Sequence, residues 1–227
     1  MSQQFGGMVV DWKNGQLLTL VKDQMSQEKF ENFEEQVASI QWKLKLSKFH
    51  GYHATLVSMQ EVSHVEKSVL GVGKDPRLAS LAHLIAHVQT LHSIADIFAQ
   101  IICACFPTVA PTRERDITFY NVSRSLKLSE HASLLSVSKA VELIRENSKF
   151  KYVAALVNIN KHRVIPIKEF NMDYENNIAQ YIVSEFEYDG IVYPSRPATE
   201  VLDMYFELEA QYLNIGVEIN AVLSKDN

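Results

Sequence analysis

Residues 76–106 read PRLASLAHLIAHVQTLHSIADIFAQIICACF, with no glycine and no proline after the first position. The stretch predicts one long helix: proline is at home in a first helical turn, and Pro107 bars continuation at the far end. Its apolar residues fall on two stripes, Leu78, Leu81, Ile85 and Val88 on one, and Leu84, Leu91, Ile94, Phe98 and Ile101 beside it. A helix with so little polar surface belongs at the centre of a helical protein. His87, His92, Asp96 and Gln100 interrupt the apolar run, so it reads as a buried helix and not a membrane span.

Working outward, the chain before it predicts a helix from about Ser26 to Leu70, ended by Gly71 and Gly73. Phe30, Phe33, Val37, Ile40 and Leu44 form its apolar seam. The same register continues through the small residues Ser47, Gly51, Ala54 and Ser58, which allow close approach of another helix from this chain or a second one. After Pro107 a polar connection over 108–127 leads to helices at 129–147 and 148–163, the latter stopped by Pro166. A closing helix over 197–223 carries the cleanest stripe: Val201, Tyr205, Leu208, Tyr212, Ile215, Ile219 and Val222. Asn14-Gly15 within 8–21 and Asp189-Gly190 within 164–195 predict two tight β-hairpins, because both residue pairs tolerate positive φ. With no repeat and no long linker, residues 1–227 read as a single, mostly α domain. The expected architecture is an antiparallel bundle of about five helices, held chiefly within 26–163, with two small β-hairpins.

The composition agrees. Hydrophobic residues make up 47% of the 227 and charged ones 22%, a globular balance that excludes a disordered or fibrous chain. Net charge is −5, against a duplex-coating nucleic-acid binder. The charge is uneven, however. Arg145, Lys149, Lys151, Lys161, Arg163 and Lys168 face Glu146 alone, so 145–168 is +5 and the remainder −10. A basic strip of that kind can receive a phosphate. Cys103 and Cys105 stand two apart on a helix, cannot face each other, and read as small buried hydrophobes of a reducing compartment. The N-terminus has neither the basic nor the apolar region of a secretory leader, and the chain is expected to be cytoplasmic, with no membrane partner.

Chemistry concentrates near residue 160. Lys151, Ala155, Asn158 and His162 recur at offsets of four, three and four, one face of a helix, and Lys161-His162-Arg163 complements its C-terminal dipole. Left to spacing alone, this is a solvated stripe with a helix-stopping basic cluster. Elsewhere, His83 and His87 have ligand-compatible spacing, as do His50 and His53. Glu61-Val-Ser-His64 matches half of a di-iron motif, but no second copy exists. No glycine-rich phosphate loop, nucleophile elbow or Cys-x-x-Cys occurs, so no cofactor is expected; with the second Glu-x-x-His missing and His83 and His87 flanking apolar stripes, no metal is expected either. Tyr174, Tyr181, Tyr188 and Tyr193 surround the second hairpin, where they can stack on bases or simply cover its face.

The run Phe150-Lys151-Tyr152 through Asn158-x-x-Lys161-His162-Arg163, on the penultimate long helix of a helical chain, resembles the signature helix of HEPN-domain proteins. The order of helices over 26–223 is similar too. The resemblance implies a paired molecule, a homodimer whose two motif helices border a shared cleft. It also implies relatedness to toxin and defence ribonucleases, whose partners include antitoxins and other proteins. Metal-independent cleavage would use His162 to move protons, with Asn158 beside it; Lys151, Lys161 and Arg163 would hold RNA or nucleotide phosphate. The family's arginine, with four to six residues between it and the histidine, is missing: Val157, Leu156 and Ala155 occupy the candidate places. Binding with weak or absent cleavage is therefore the expected activity. Two alternatives stand beside it: a non-enzymatic dimeric scaffold, and a histidine-ligated bundle resembling the DinB-like trihistidine proteins.

Overall fold

The computed structural model describes residues 12–55, 75–173 and 178–225. Seven α-helices occur among them: α1 Asn14–Val21, α2 Gln27–Ala54, α3 Pro76–Cys105, α4 Phe119–Leu128, α5 Leu135–Glu146, α6 Ser148–His162 and α7 Ala198–Leu223. Strands β1 Ile167–Asp173, β2 Ile178–Val183 and β5 Arg196–Pro197 form one antiparallel sheet in the order β1-β2-β5. Strands β3 Phe186–Tyr188 and β4 Ile191–Tyr193 form a second. The protein is mostly α with two small antiparallel sheets, and it has more helices than the five expected.

Pro76 opens α3 and Pro107 follows it, as the sequence predicts. The β3–β4 hairpin also forms where Asp189-Gly190 places it, with φ of 52° and 74° at the two turn residues. Both values lie in the left-handed region that a two-residue turn of this twist requires. The N-terminal hairpin is a correction. Asn14 and Gly15 open α1, where the Asn14 Oδ1 accepts the Gly15 N–H at 3.0 Å. Leu17 and Val21, one helical turn apart, are its buried residues, a helical and not an alternating pattern. Residues 8–11 of that expected hairpin lie outside the described residues, as do 56–70 of the first long helix.

The polar connection expected over 108–127 holds a helix, α4. Thr118 caps α4 by accepting the Asn121 N–H, and Phe119, Val122, Ser123 and Leu126 are its buried face. Asn147 separates α5 from α6 by capping the latter, its Oδ1 accepting from the N–H groups of Lys149 and Phe150.

The described chain falls into two compact units, and α2, α3 and α7 contribute a segment to each. The first comprises 12–40, 95–146 and 207–225. Its core joins Trp12 to Phe98, with ring centroids 5.5 Å apart, and Phe98 to Tyr212 in a stacked pair at 6.1 Å. Leu208 and Ile215 are fully buried, as expected of the closing stripe. Gly216 lies so close under the Trp12 ring that any Cβ would overlap it.

The second unit comprises 41–55, 75–94, 147–173 and 178–206. Leu44, Leu91 and Leu156 are buried there as expected. Leu78 is exposed and Ile85 only half-buried, because α3 turns Leu84, Val88 and Leu91 inward instead. The small seam of α2 is used within the chain: Ser47 and Ala54 are buried, and Gly51 faces the His87 ring. Among the described residues α3 alone is long and apolar enough to cross a membrane. Of its most apolar window, 56% is buried inside the structure, as in a core helix.

Candidate functional site

The second unit carries the sequence-predicted residues on α6. Phe150, Tyr152, Val153, Ala155, Leu156, Val157 and Ile159 are all buried, so α6 is covered around most of its circumference. Lys151, Lys161, His162 and Arg163 are exposed, and Asn158 is half-buried. Buried Ala155 interrupts the expected polar stripe, separating Lys151 from the Asn158–His162 end. Val157 is fully buried. The place where the resemblance expects arginine is thus a core position, and an unpaired guanidinium there would be costly.

Tyr152 docks the β3–β4 hairpin onto α6. Its ring meets Phe186 at 5.5 Å and Tyr193 at 5.9 Å, both edge-on, and Phe186 stacks on Tyr193 at 5.1 Å. Its hydroxyl donates to the Pro194 carbonyl at 3.4 Å, and the Arg196 guanidinium lies 5.3 Å from the ring centroid. Burial pushes the Tyr152 phenol up to about 12, the Arg196 charge opposing it.

The hairpin brings tyrosines beside the cations. The Arg163 guanidinium lies 5.9 Å from the Tyr188 ring centroid, in cation–π range. Burial raises the Tyr193 phenol, while the positive charge of Lys151 pulls it down. Arg163 therefore lies over Tyr188, and Lys151, toward the start of α6, acts on Tyr193. Glu187 and Asp189 of the hairpin are exposed. Of the other two tyrosines, Tyr181 belongs to β2 and pairs edge-on with Phe170 at 4.9 Å, and Tyr174 lies outside the described residues.

The histidines part company. His87 is buried, its Nδ1–H donating to the Ser47 carbonyl at 2.8 Å; burial holds it below the ordinary imidazole range, with that bond opposing. His83, one turn earlier, instead meets His50, the two Nδ1 atoms 2.9 Å apart. The His53 ring lies against His83 at 5.2 Å and 28°, and Phe49 borders all three. Partial burial lowers the His83 pKa, and the neighbouring His50 and His53 add to it. The sequence signalled the two spacings but not which members would face each other. As placed, no group of three or more His, Cys, Asp or Glu side chains among the described residues encloses a metal ion. Glu61 and His64 lie outside those residues.

In the first unit, a groove of about 620 Å³ is lined by Lys29, Asn32, Gln36, Gln100, Cys103 and neighbouring side chains, and holds none of the α6 residues. Cys103 and Cys105 are free and buried, their thiols pushed up to about 11 and 12 by burial. A pocket of about 270 Å³ beside the start of α6, lined by Lys149, Tyr152, Arg196, Glu200 and Asp203, also excludes Asn158 and His162. Compared with family models, curated proteins and solved structures, the chain gives no match.

Proposed function

We propose that this chain is a HEPN-like RNA- or nucleotide-binding protein, related to toxin and defence ribonucleases but without efficient cleavage. The observation that carries the reading is the placement of Arg163 over Tyr188, beside exposed Lys161 and His162. A cation held on an aromatic ring offers one surface to both halves of a nucleotide, charge for the phosphate and a π-face for the base. Lys151 brings a further positive charge to the neighbourhood of Tyr193. His162 is an imidazole in reach of solvent, suited to exchanging protons with a bound sugar hydroxyl. What α6 lacks is a second fixed cation at the place of buried Val157, and that argues for binding over catalysis.

The test is fluorescence anisotropy with a labelled single-stranded RNA, alongside a cleavage assay in EDTA. Wild type should bind, and Arg163→Ala and Tyr188→Ala should each weaken binding severalfold. Full-length RNA should survive. Cleavage to 2′,3′-cyclic ends, abolished by His162→Ala, would instead make it an active ribonuclease.

A second reading, a dimeric interaction module, has its own observation. Trp42, Leu46, Phe49 and Tyr52 of α2 are exposed at 63%, 46%, 51% and 63%, the first three spaced four and three apart on one helix face. Such a stripe suits a second copy of the chain. Sedimentation should then report about twice 25.8 kDa for wild type and a single chain for Trp42→Glu.

A further inference from the structure

We propose that His50 and His83 bind one zinc-class divalent ion in the second unit, with His53 as the third ligand. The inference is independent of the RNA reading and concerns different residues. It starts from a distance. Two nitrogens bound to one zinc at about 2.0–2.1 Å, at angles of about 90–110°, lie about 2.9–3.4 Å apart. The Nδ1 atoms of His50 and His83 are already 2.9 Å apart. In the metal-free chain that approach needs a proton between the nitrogens, one ring donating and the other accepting. An ion replaces the proton and uses both lone pairs.

The rings are well placed for the exchange. His50 comes from α2 and His83 from α3, so two helices fix the pair across 33 residues of sequence. His53 lies one turn beyond His50, with its ring centroid 5.2 Å from that of His83. It is now laid face to face with His83, and a rotation about its side-chain torsions is needed to bring a nitrogen to the same point. All three rings are half-exposed, so the rotation is open to them and water can complete the coordination. Phe49, with its centroid 4.3 Å from that of His53, forms an apolar wall beside the site. Three imidazoles without a carboxylate favour zinc, nickel or copper over magnesium or calcium. His87 is outside the set, because its Nδ1 is engaged by Ser47 within the interior.

The test is calorimetric titration of zinc chloride into the full, tag-free chain, with equilibrium dialysis and elemental analysis as a check. Wild type should take up one zinc per chain, and magnesium should give no heat. His83→Gln and His50→Gln should each weaken zinc binding at least tenfold, His53→Gln less. Glutamine keeps a hydrogen-bonding side chain, and circular dichroism with melting in EDTA shows that each variant is folded; if one is not, the other decides. His131→Gln, an exposed histidine of the first unit, should bind as wild type. Wild type without zinc uptake, or uptake unchanged in the folded His50→Gln or His83→Gln variant, overturns the site.

Discussion

His87 donates its Nδ1–H to the backbone carbonyl of Ser47 at 2.8 Å, tying α3 to α2 inside the second unit. The approach depends on Gly51, since a Cβ there would stand 3.0 Å from that same nitrogen. The bond requires only Nδ1–H, and burial disfavours a second proton on Nε2, an atom with no hydrogen-bond partner. His87 is therefore held neutral below its ordinary value of 6.5.

The sign of the pH dependence follows. As pH falls through about 6.5 the unfolded chain takes up this proton and the folded chain resists it, so stability is full above that value and declines below it. His83, also lowered, acts in the same direction. Melting temperature should fall as pH is lowered from about 7.5 to 5.5, and His87→Gln should flatten the fall. Equal slopes in the two proteins would remove His87 as the cause.

Val157→Arg is the substitution that would restore the missing family arginine in sequence. Because Val157 is fully buried, the new guanidinium would be forced into the interior of the second unit. The expected result is loss of several kcal/mol of stability or outright misfolding, with no gain of ribonuclease activity. A stable Val157→Arg variant that cuts RNA would contradict the placement of this position.

Gly216→Ala tests the core of the first unit. Alanine is the better helix former by about 1 kcal/mol, so propensity alone predicts a stabilised α7. Overlap of the new methyl with the buried Trp12 ring opposes it, at a cost of about 1–3 kcal/mol for overpacking. A net drop in melting temperature should result, with tryptophan emission shifted to the red as the ring is displaced. A rise would mean that Trp12 does not lie against Gly216.

The sequence made α3 and α7 plain for the same reason: prolines at their borders and stripes long enough to show the helical period. All seven stripe residues of α7 are buried. α4 was hidden because Phe119, Val122 and Leu126 are a short seam inside a polar run, supported by a cap and by Asp96, whose carboxylate accepts the Phe119 N–H. Asn14-Gly15 misled because the pair serves a tight turn and a helix start equally well. The outcome there turns on burial of Trp12, Leu17 and Val21, which no local rule supplies. In the site, α6 and its exposed cations were legible from period and charge. Tyr188 as the partner of Arg163 was not, since the hairpin's docking on Tyr152 decides it. Nor could spacing tell that His83 would meet His50 while His87 turned inward.

RNA or nucleotide binding by the α6 end and the hairpin, as proposed above, runs through phosphate contacts. The measurement that tests it most directly is the salt dependence of single-stranded RNA binding, in wild type and in Lys161→Ala/Arg163→Ala. For single strands, each phosphate contact contributes about 0.7 to the slope of log affinity against log salt. The double variant should therefore bind more weakly at low salt, with a slope shallower by about 1.4, while its melting temperature stays at the wild-type value, both side chains being exposed. An unchanged affinity and slope, or no RNA binding by the wild type at all, would contradict the account.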